Sequence, residues 1–313
     1  MIVFWTLLLL AVIAAAGWVA LLFAMGRGRL FDPRSPRLLL HSTWDQFEIP
    51  ILAGAAWIAS QETEHQTLES FDGLTLHARL LPVAGPARGT ILLFHGYRSM
   101  AAVDFSATAK ALHDEGFHLL LVDQRAHGHS QGRWITYGVN ERQDCTAWAW
   151  HCYRRFGPNH PLFLYGMSMG ATTVLLAAGL GLPPTVQGIL ADCGFTAPVA
   201  ILRHVLSRFC RPLSAPLLWL LRWYARWLLH VDLDCCSTPA ALHRTRLPVL
   251  LLHGVDDSFV PMDMSREAAA ACGGYHQLYL VTNAGHGGAG WVDRNGYLSA
   301  VKGFLHNFLH DIP

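Results

Sequence analysis

The stretch Pro161-Leu162-Phe163-Leu164-Tyr165-Gly166-Met167-Ser168-Met169-Gly170, followed by Ala171–Ala178, decides how the rest of the chain is read. A short apolar run enters Gly-x-Ser-x-Gly, and a helix-forming segment leaves it. Strand, tight turn and helix in that order present a serine at the tip of a strained turn, the setting in which its hydroxyl acts as a nucleophile. Gly166 and Gly170 lack Cβ atoms, so strand and helix can close around Ser168 without steric conflict. Five residues of such common types carry little alone. Their flanks supply the meaning.

Further out, short unbroken apolar runs recur at Thr90–Phe94, His118–Val122, Leu162–Tyr165, Gly188–Ala191, Val249–Leu252 and Gln277–Val281. Helix-length stretches separate most of them, namely Ala101–Glu115, Asn140–Phe156, Ala171–Leu180 and Met264–Cys272, and a last helix is expected over Gly296–His310. Strands buried on both faces look like such runs, and their alternation with helices predicts parallel β-α-β units. Ahead of them, His65–Glu69 and Leu74–Leu81 flank Asp72-Gly73, which supplies the positive φ of a tight hairpin turn. The expected fold is α/β, a mostly parallel eight-stranded sheet opened by an antiparallel hairpin, with helices on both faces. Residues 196–246 break the rhythm, with helix such as Leu217–Leu229 and no strand signal. They read as a helical cap over the C-terminal edge of the sheet, where open α/β sheets bind ligands.

From Ile2 to Met25 no side chain is charged. At ~1.5 Å per residue such a helix exceeds a hydrocarbon core of ~30 Å. Trp5 and Trp18 lie toward its ends, where amphipathic rings favour the interface. No Lys or Arg precedes the run and no Ala-x-Ala site ends it, which favours an uncleaved anchor over a signal peptide. Arg27, Arg29, Arg34 and Arg37 follow, so the positive-inside rule predicts a single-pass membrane protein with a cytoplasmic catalytic domain. The expected division is an anchor at 1–25, a basic juxtamembrane linker and helix at 26–64 (with a mildly apolar helix at Ile49–Gln61), and one domain at 65–313.

Composition excludes several classes. Lys+Arg 23 against Asp+Glu 22 leaves no basic face, so no nucleic-acid partner is expected. Seven cysteines, at 145, 152, 193, 210, 235, 236 and 272, form no disulfide framework and no Cys-x-x-Cys. His127-x-His129 is the tightest of the 18 histidines, but without a carboxylate at ligand spacing it predicts no metal. No cofactor is expected.

A serine nucleophile needs a base to take its proton and an acid to orient the base. Loops at strand C-termini offer both. His253-Gly254-Val255-Asp256-Asp257-Ser258-Phe259-Val260-Pro261 follows one apolar run, and Asn283-Ala284-Gly285-His286-Gly287 follows the next. Asp256 and Asp257 compete as the acid; Asp192, after the Gly188–Ala191 run, is a third candidate. With Leu93-Phe94-His95-Gly96-Tyr97 and Asp123-Gln124-Arg125-Ala126-His127-Gly128-His129-Ser130, these motifs resemble the α/β-hydrolase superfamily over residues 65 to 310. The similarity is to bacterial serine hydrolases of the serine-aminopeptidase-like and BEM46-like groups.

That resemblance implies a catalytic triad of Ser168, Asp257 and His286, since in similar sequences the acid stands three residues before the Val of the Val-Pro pair. It also implies an oxyanion hole from the backbone N–H groups of Tyr97 and Met169, with the Tyr97 ring available to line an acyl pocket. His95 is expected to shape the oxyanion loop and His253 a turn, and Asp123 and Arg125 to pair with each other.

Trp219, Trp223 and Trp227 recur at i, i+4 and i+8 and share one helix face. Apolar stripes at helical spacing usually pack inward, so the expectation is that they fill the interface between cap and core; the alternative is a surface that dips into lipid. Either way the substrate implied is a small-molecule or lipid-like ester with an apolar acyl group. Aminopeptidase, amidase or thioesterase chemistry fits the same triad, and a non-catalytic membrane-anchored scaffold is the alternative of a different class.

Overall fold

The computed structural model describes residues 1–28, 44–209 and 211–309. Its centre is one eight-stranded sheet made of β1 (Glu64–Glu69), β2 (Thr75–Leu81), β3 (Gly89–Phe94), β4 (Phe117–Asp123), β5 (Leu162–Met167), β6 (Val186–Asp192), β7 (Val249–Gly254) and β8 (His276–Val281). The spatial order is β1-β2-β4-β3-β5-β6-β7-β8. β1 and β2 form the expected hairpin, β2 joins β4 antiparallel, and every later pairing is parallel. The central strands β3, β5 and β7 are buried at every residue, which is why they read as unbroken apolar runs.

The helices are α1 (Ile2–Met25), α2 (Glu48–Ala59), α3 (Ala101–Asp104), α4 (Ala109–Asp114), α5 (Glu141–Phe156), α6 (Met169–Ala177), α7 (Pro198–Phe209), α8 (Ser214–Leu228), α9 (Thr238–Arg244), α10 (Asp263–Ala270), α11 (Ala289–Val292) and α12 (Arg294–Phe308). Two apolar layers sandwich the sheet. One packs Trp148 and Cys152 of α5 and Val174 of α6 on it, and the other packs Phe105, Tyr297 and Phe304. A third cluster sits beyond the strand C-termini and joins α7 and α8 to Leu21 and Met25 of α1.

Four expectations change. Ala101–Glu115 is two short helices, because the Ser106 hydroxyl donates back to the Val103 carbonyl (2.6 Å) and the turn at 105–108 interrupts the ladder. Arg125 does not pair with Asp123. Its guanidinium reaches Asp144 on α5 (2.6 and 2.7 Å) and Asp72 in the hairpin turn (2.9 and 3.1 Å), riveting one to the other. Asp123 instead accepts the His129 main-chain N–H at 2.9 Å. The three tryptophans of α8 face outward, at 61%, 45% and 64% exposure, while Leu218, Leu221 and Ala225 form its inward face.

The fourth change concerns α1. It is long and apolar enough to cross a membrane, yet its second half lies on the domain. Gly17 meets the Tyr224 ring, whose hydroxyl donates to the Ala14 carbonyl at 2.9 Å, and Leu21 and Met25 are fully buried. A helix leaves its last four carbonyls without intrahelical donors. Here each finds one: Leu22 from Gly26 N–H, Phe23 from the Arg98 guanidinium, Ala24 from the Tyr97 and Tyr137 hydroxyls, and Met25 from Ile135 N–H. Arg27 then donates to the Gly128 and Ser130 carbonyls. The other linker residues singled out in the sequence, Arg29, Arg34 and Arg37, lie outside the described residues, as do Cys210 and His310.

Candidate active site

The chain turns sharply between β5 and α6, and Ser168 occupies that turn at φ 54°, ψ −116°. A non-glycine residue there is strained, and it persists because its surroundings leave no alternative. A Cβ on Gly166 would strike the Gly170 main chain, and one on Gly170 would strike the Phe94 carbonyl. The Ser168 N–H is held by the Asp192 carbonyl at 2.8 Å.

Two later loops bring the partners. The Ser168 hydroxyl donates to His286 Nε2 at 2.9 Å, and His286 Nδ1–H donates to Asp257 Oδ2 at 2.7 Å. Asp257 Oδ1 accepts from the N–H groups of Phe259 (2.9 Å) and Val260 (2.8 Å). Burial works to raise the Asp257 pKa, but the charge of His286 and the hydrogen bonds from His253 and His286 outweigh it and hold the carboxylate well below its usual range. Burial likewise works to depress His286, and Asp257 reverses that, leaving the imidazole above its ordinary value. Asp256, the competing acid, is exposed. Asp192 is buried and accepts from the Tyr297 hydroxyl at 2.7 Å; burial raises its pKa to about 6.

The loop after β3 crosses in front of the serine. Among the described residues, neither the Tyr97 nor the Met169 main-chain N–H has a hydrogen-bond acceptor. Asp104 fixes this loop by accepting Gly96 N–H (2.6 Å) and the Ser99 hydroxyl (2.5 Å). His95 Nδ1–H donates to the Gly96 carbonyl at 2.8 Å, so it does shape the loop. His127 accepts Arg98 N–H at 2.8 Å and donates to the Arg125 carbonyl at 2.8 Å. Both its ring nitrogens are thereby spent on the main chain, and burial keeps it neutral. The Tyr97 ring packs against the apolar cluster that holds Met169, Phe195 and Val260. It stacks on Tyr137 (5.5 Å between centroids) and carries the hydroxyl to α1.

Several contributors escaped the sequence reading. His253 is a buried strand residue rather than a turn residue, with Nε2 3.2 Å from Asp257 Oδ2 and Nδ1 on the Ser265 hydroxyl at 2.7 Å. Asp104 had one available signal, a carboxylate inside the apolar segment Ala101-Ala102-Val103-Asp104-Phe105. Trp44, whose Nε1–H donates to the His286 carbonyl at 2.5 Å, had none. The donor atoms of Cys193, Asp257 and His286 lie within 4.8 Å of one another. A metal there would have to break the His286–Asp257 bond.

A family model described as serine aminopeptidase, S33, matches residues 85–237. The uncharacterised protein YqkD of Bacillus subtilis is 26% identical over 267 residues, 80% of this chain and 86% of its own. The caffeoylshikimate esterase of Arabidopsis thaliana is 28% identical over 137 residues, 43% of this chain and 40% of its own. Among solved structures, the esterase Pf2001 of Pyrococcus furiosus superposes with a TM-score of 0.66 at 19% identity, covering 88% of this chain and 98% of that one. The chain thus has the α/β-hydrolase fold, shared with that esterase over most of its length, and the serine aminopeptidase model matches its central part.

Proposed function

We propose that this hydrolase cleaves carboxylic esters with an apolar acyl group through an acyl-enzyme on Ser168. One observation carries the reading: an unbroken hydrogen-bonded line from Ser168 through His286 to Asp257, beginning at a positive-φ turn. The Ser168 oxygen attacks the ester carbon as its proton passes to His286 Nε2. Asp257 holds Nδ1 protonated and stabilises the imidazolium. The carbonyl oxygen becomes an oxyanion that the free N–H groups of Tyr97 and Met169 receive, Met169 adding the positive end of α6. Collapse breaks the carbon–oxygen bond, and His286 returns the proton to the departing alcohol. Water then repeats the sequence on the acyl-enzyme.

The likeness to two esterases, Pf2001 and the Arabidopsis relative, supports an ester. The apolar acyl group is supported by the cluster around Met169, Phe195, Val199 and Val260. An aminopeptidase needs a free carboxylate in the cap to hold an α-amine. The only cap carboxylates are Asp232 and Asp234, and these pair with Arg226 (3.7 Å) and Arg222 (2.8 Å). Peptide or amide cleavage is therefore the second reading. Wild type is expected to label with a fluorophosphonate and Ser168→Ala is not. The same preparation is expected to hydrolyse medium-chain p-nitrophenyl esters at least tenfold faster than aminoacyl p-nitroanilides. Equal labelling of both proteins, or faster anilide cleavage, overturns the reading.

A further inference from the structure

We propose that α1 and α8 together form one bilayer-facing surface, which enters a single leaflet and seats the cap at the lipid interface. The starting point is length. Tyr224, Leu220 and Trp134 engage α1 from Ala14 onward. Only Ile2–Ile13 then extends clear of the domain, ~18 Å at ~1.5 Å per residue. That is about one leaflet of a ~30 Å hydrocarbon core. For all of α1 to cross a bilayer, the helix it lies on would have to sink into hydrocarbon with it. Two arginine–aspartate pairs, Arg222–Asp234 and Arg226–Asp232, oppose that depth.

Those pairs suit the interface, and so does the rest of α8. Its inward face, Leu218, Leu221 and Ala225, is already used in the cluster that holds Leu21 and Met25. Its outward face carries Trp219, Trp223 and Trp227, all exposed. Phe23, 77% exposed on the docked half of α1, adds to the apolar surface. Tryptophan with an apolar body and a donor at its rim settles at headgroup depth, and paired charges beside it stay wet. An apolar helix face continuous with a segment that is itself apolar over 24 residues has lipid as its fitting occupant.

The surface is independent of the chemistry at Ser168, so its test reads position rather than turnover. In the full chain, Cys210, Cys235, Cys236 and Cys272 are replaced by Ser. Trp219→Cys and Trp227→Cys are then made separately, labelled with bimane and reconstituted in phosphatidylcholine–phosphatidylglycerol vesicles. Glu69→Cys on the exposed edge strand β1 is the control, and a thermal melt certifies each variant as folded. Doxyl-labelled lipid is expected to quench both α8 labels at least threefold more than the control, with aqueous iodide showing the reverse. Iodide quenching at the control's level would leave the face in water and overturn the proposal. Protection from both quenchers would place a second copy on the face and overturn it equally.

Discussion

Asp257 is the point at which three elements meet, and its variants separate position from charge. Its Oδ1 is fixed by two main-chain donors and its Oδ2 by two histidines. Asp257→Asn keeps the shape but takes away the anion that holds His286 in the right tautomer, so kcat should fall by roughly 10³–10⁴-fold. Asp256→Asn, an exposed change, should cost less than about threefold. The pH profile follows the same logic. His286 must be neutral to accept the proton, and Asp257 raises its pKa, so kcat/KM should rise with pH through a midpoint above the ordinary histidine value of about 6.5. In Asp257→Asn that midpoint should move down. Ser168 and His286 were legible as candidates from their own loops, whereas Asp257 was separated from Asp256 and Asp192 only by the family resemblance; the structure brings the three into one hydrogen-bonded line. His253 and Asp104 act on other functional groups from buried positions, and a single sequence does not display such through-space partners.

At the scale of elements, the strands were legible nearly to the residue, since burial on both faces forces a run of apolar side chains with sharp edges. The helices were less so. α3 and α4 share one amphipathic pattern, and only the back-bonded Ser106 divides them. The α8 stripe misled for a different reason: periodicity identifies a face without saying which way it points. Leu218, Leu221 and Ala225 offered an equally regular inward face, and they took the core. The β5–α6 junction makes the strongest element-level prediction. Gly170→Ala drives a methyl group into the Phe94 carbonyl, with backbone on both sides and no side chain to yield. Chemical denaturation should show a loss of at least about 1–3 kcal/mol, with fluorophosphonate labelling falling in step.

For the molecule as a whole, the sequence made α1 a separable anchor, with a signal peptide as the alternative. What the pattern lacked was the set of donors waiting at the far end: Tyr97, Arg98, Tyr137 and Ile135, drawn from two separate loops, become one cap only when the sheet gathers them. Docking of this kind makes α1 part of the folded unit. Leu21→Ala and Met25→Ala, each removing a fully buried side chain, should cost about 2–5 kcal/mol apiece and lower the melting temperature in detergent. A helix that served only as a tether would leave that temperature unmoved.

The clamp on the last turn of α1 also fixes a distance. Two of its donors, Tyr97 and Arg98, stand on the loop that continues from Gly96 beside Ser168. The helix proposed to meet lipid is thereby hydrogen-bonded directly to the loop beside the proposed nucleophile. On the two proposals together, the serine would work at one set height, like a blade mounted on its own guide rail, and a substrate would be selected by how far its scissile bond stands from the surface as well as by its chemistry.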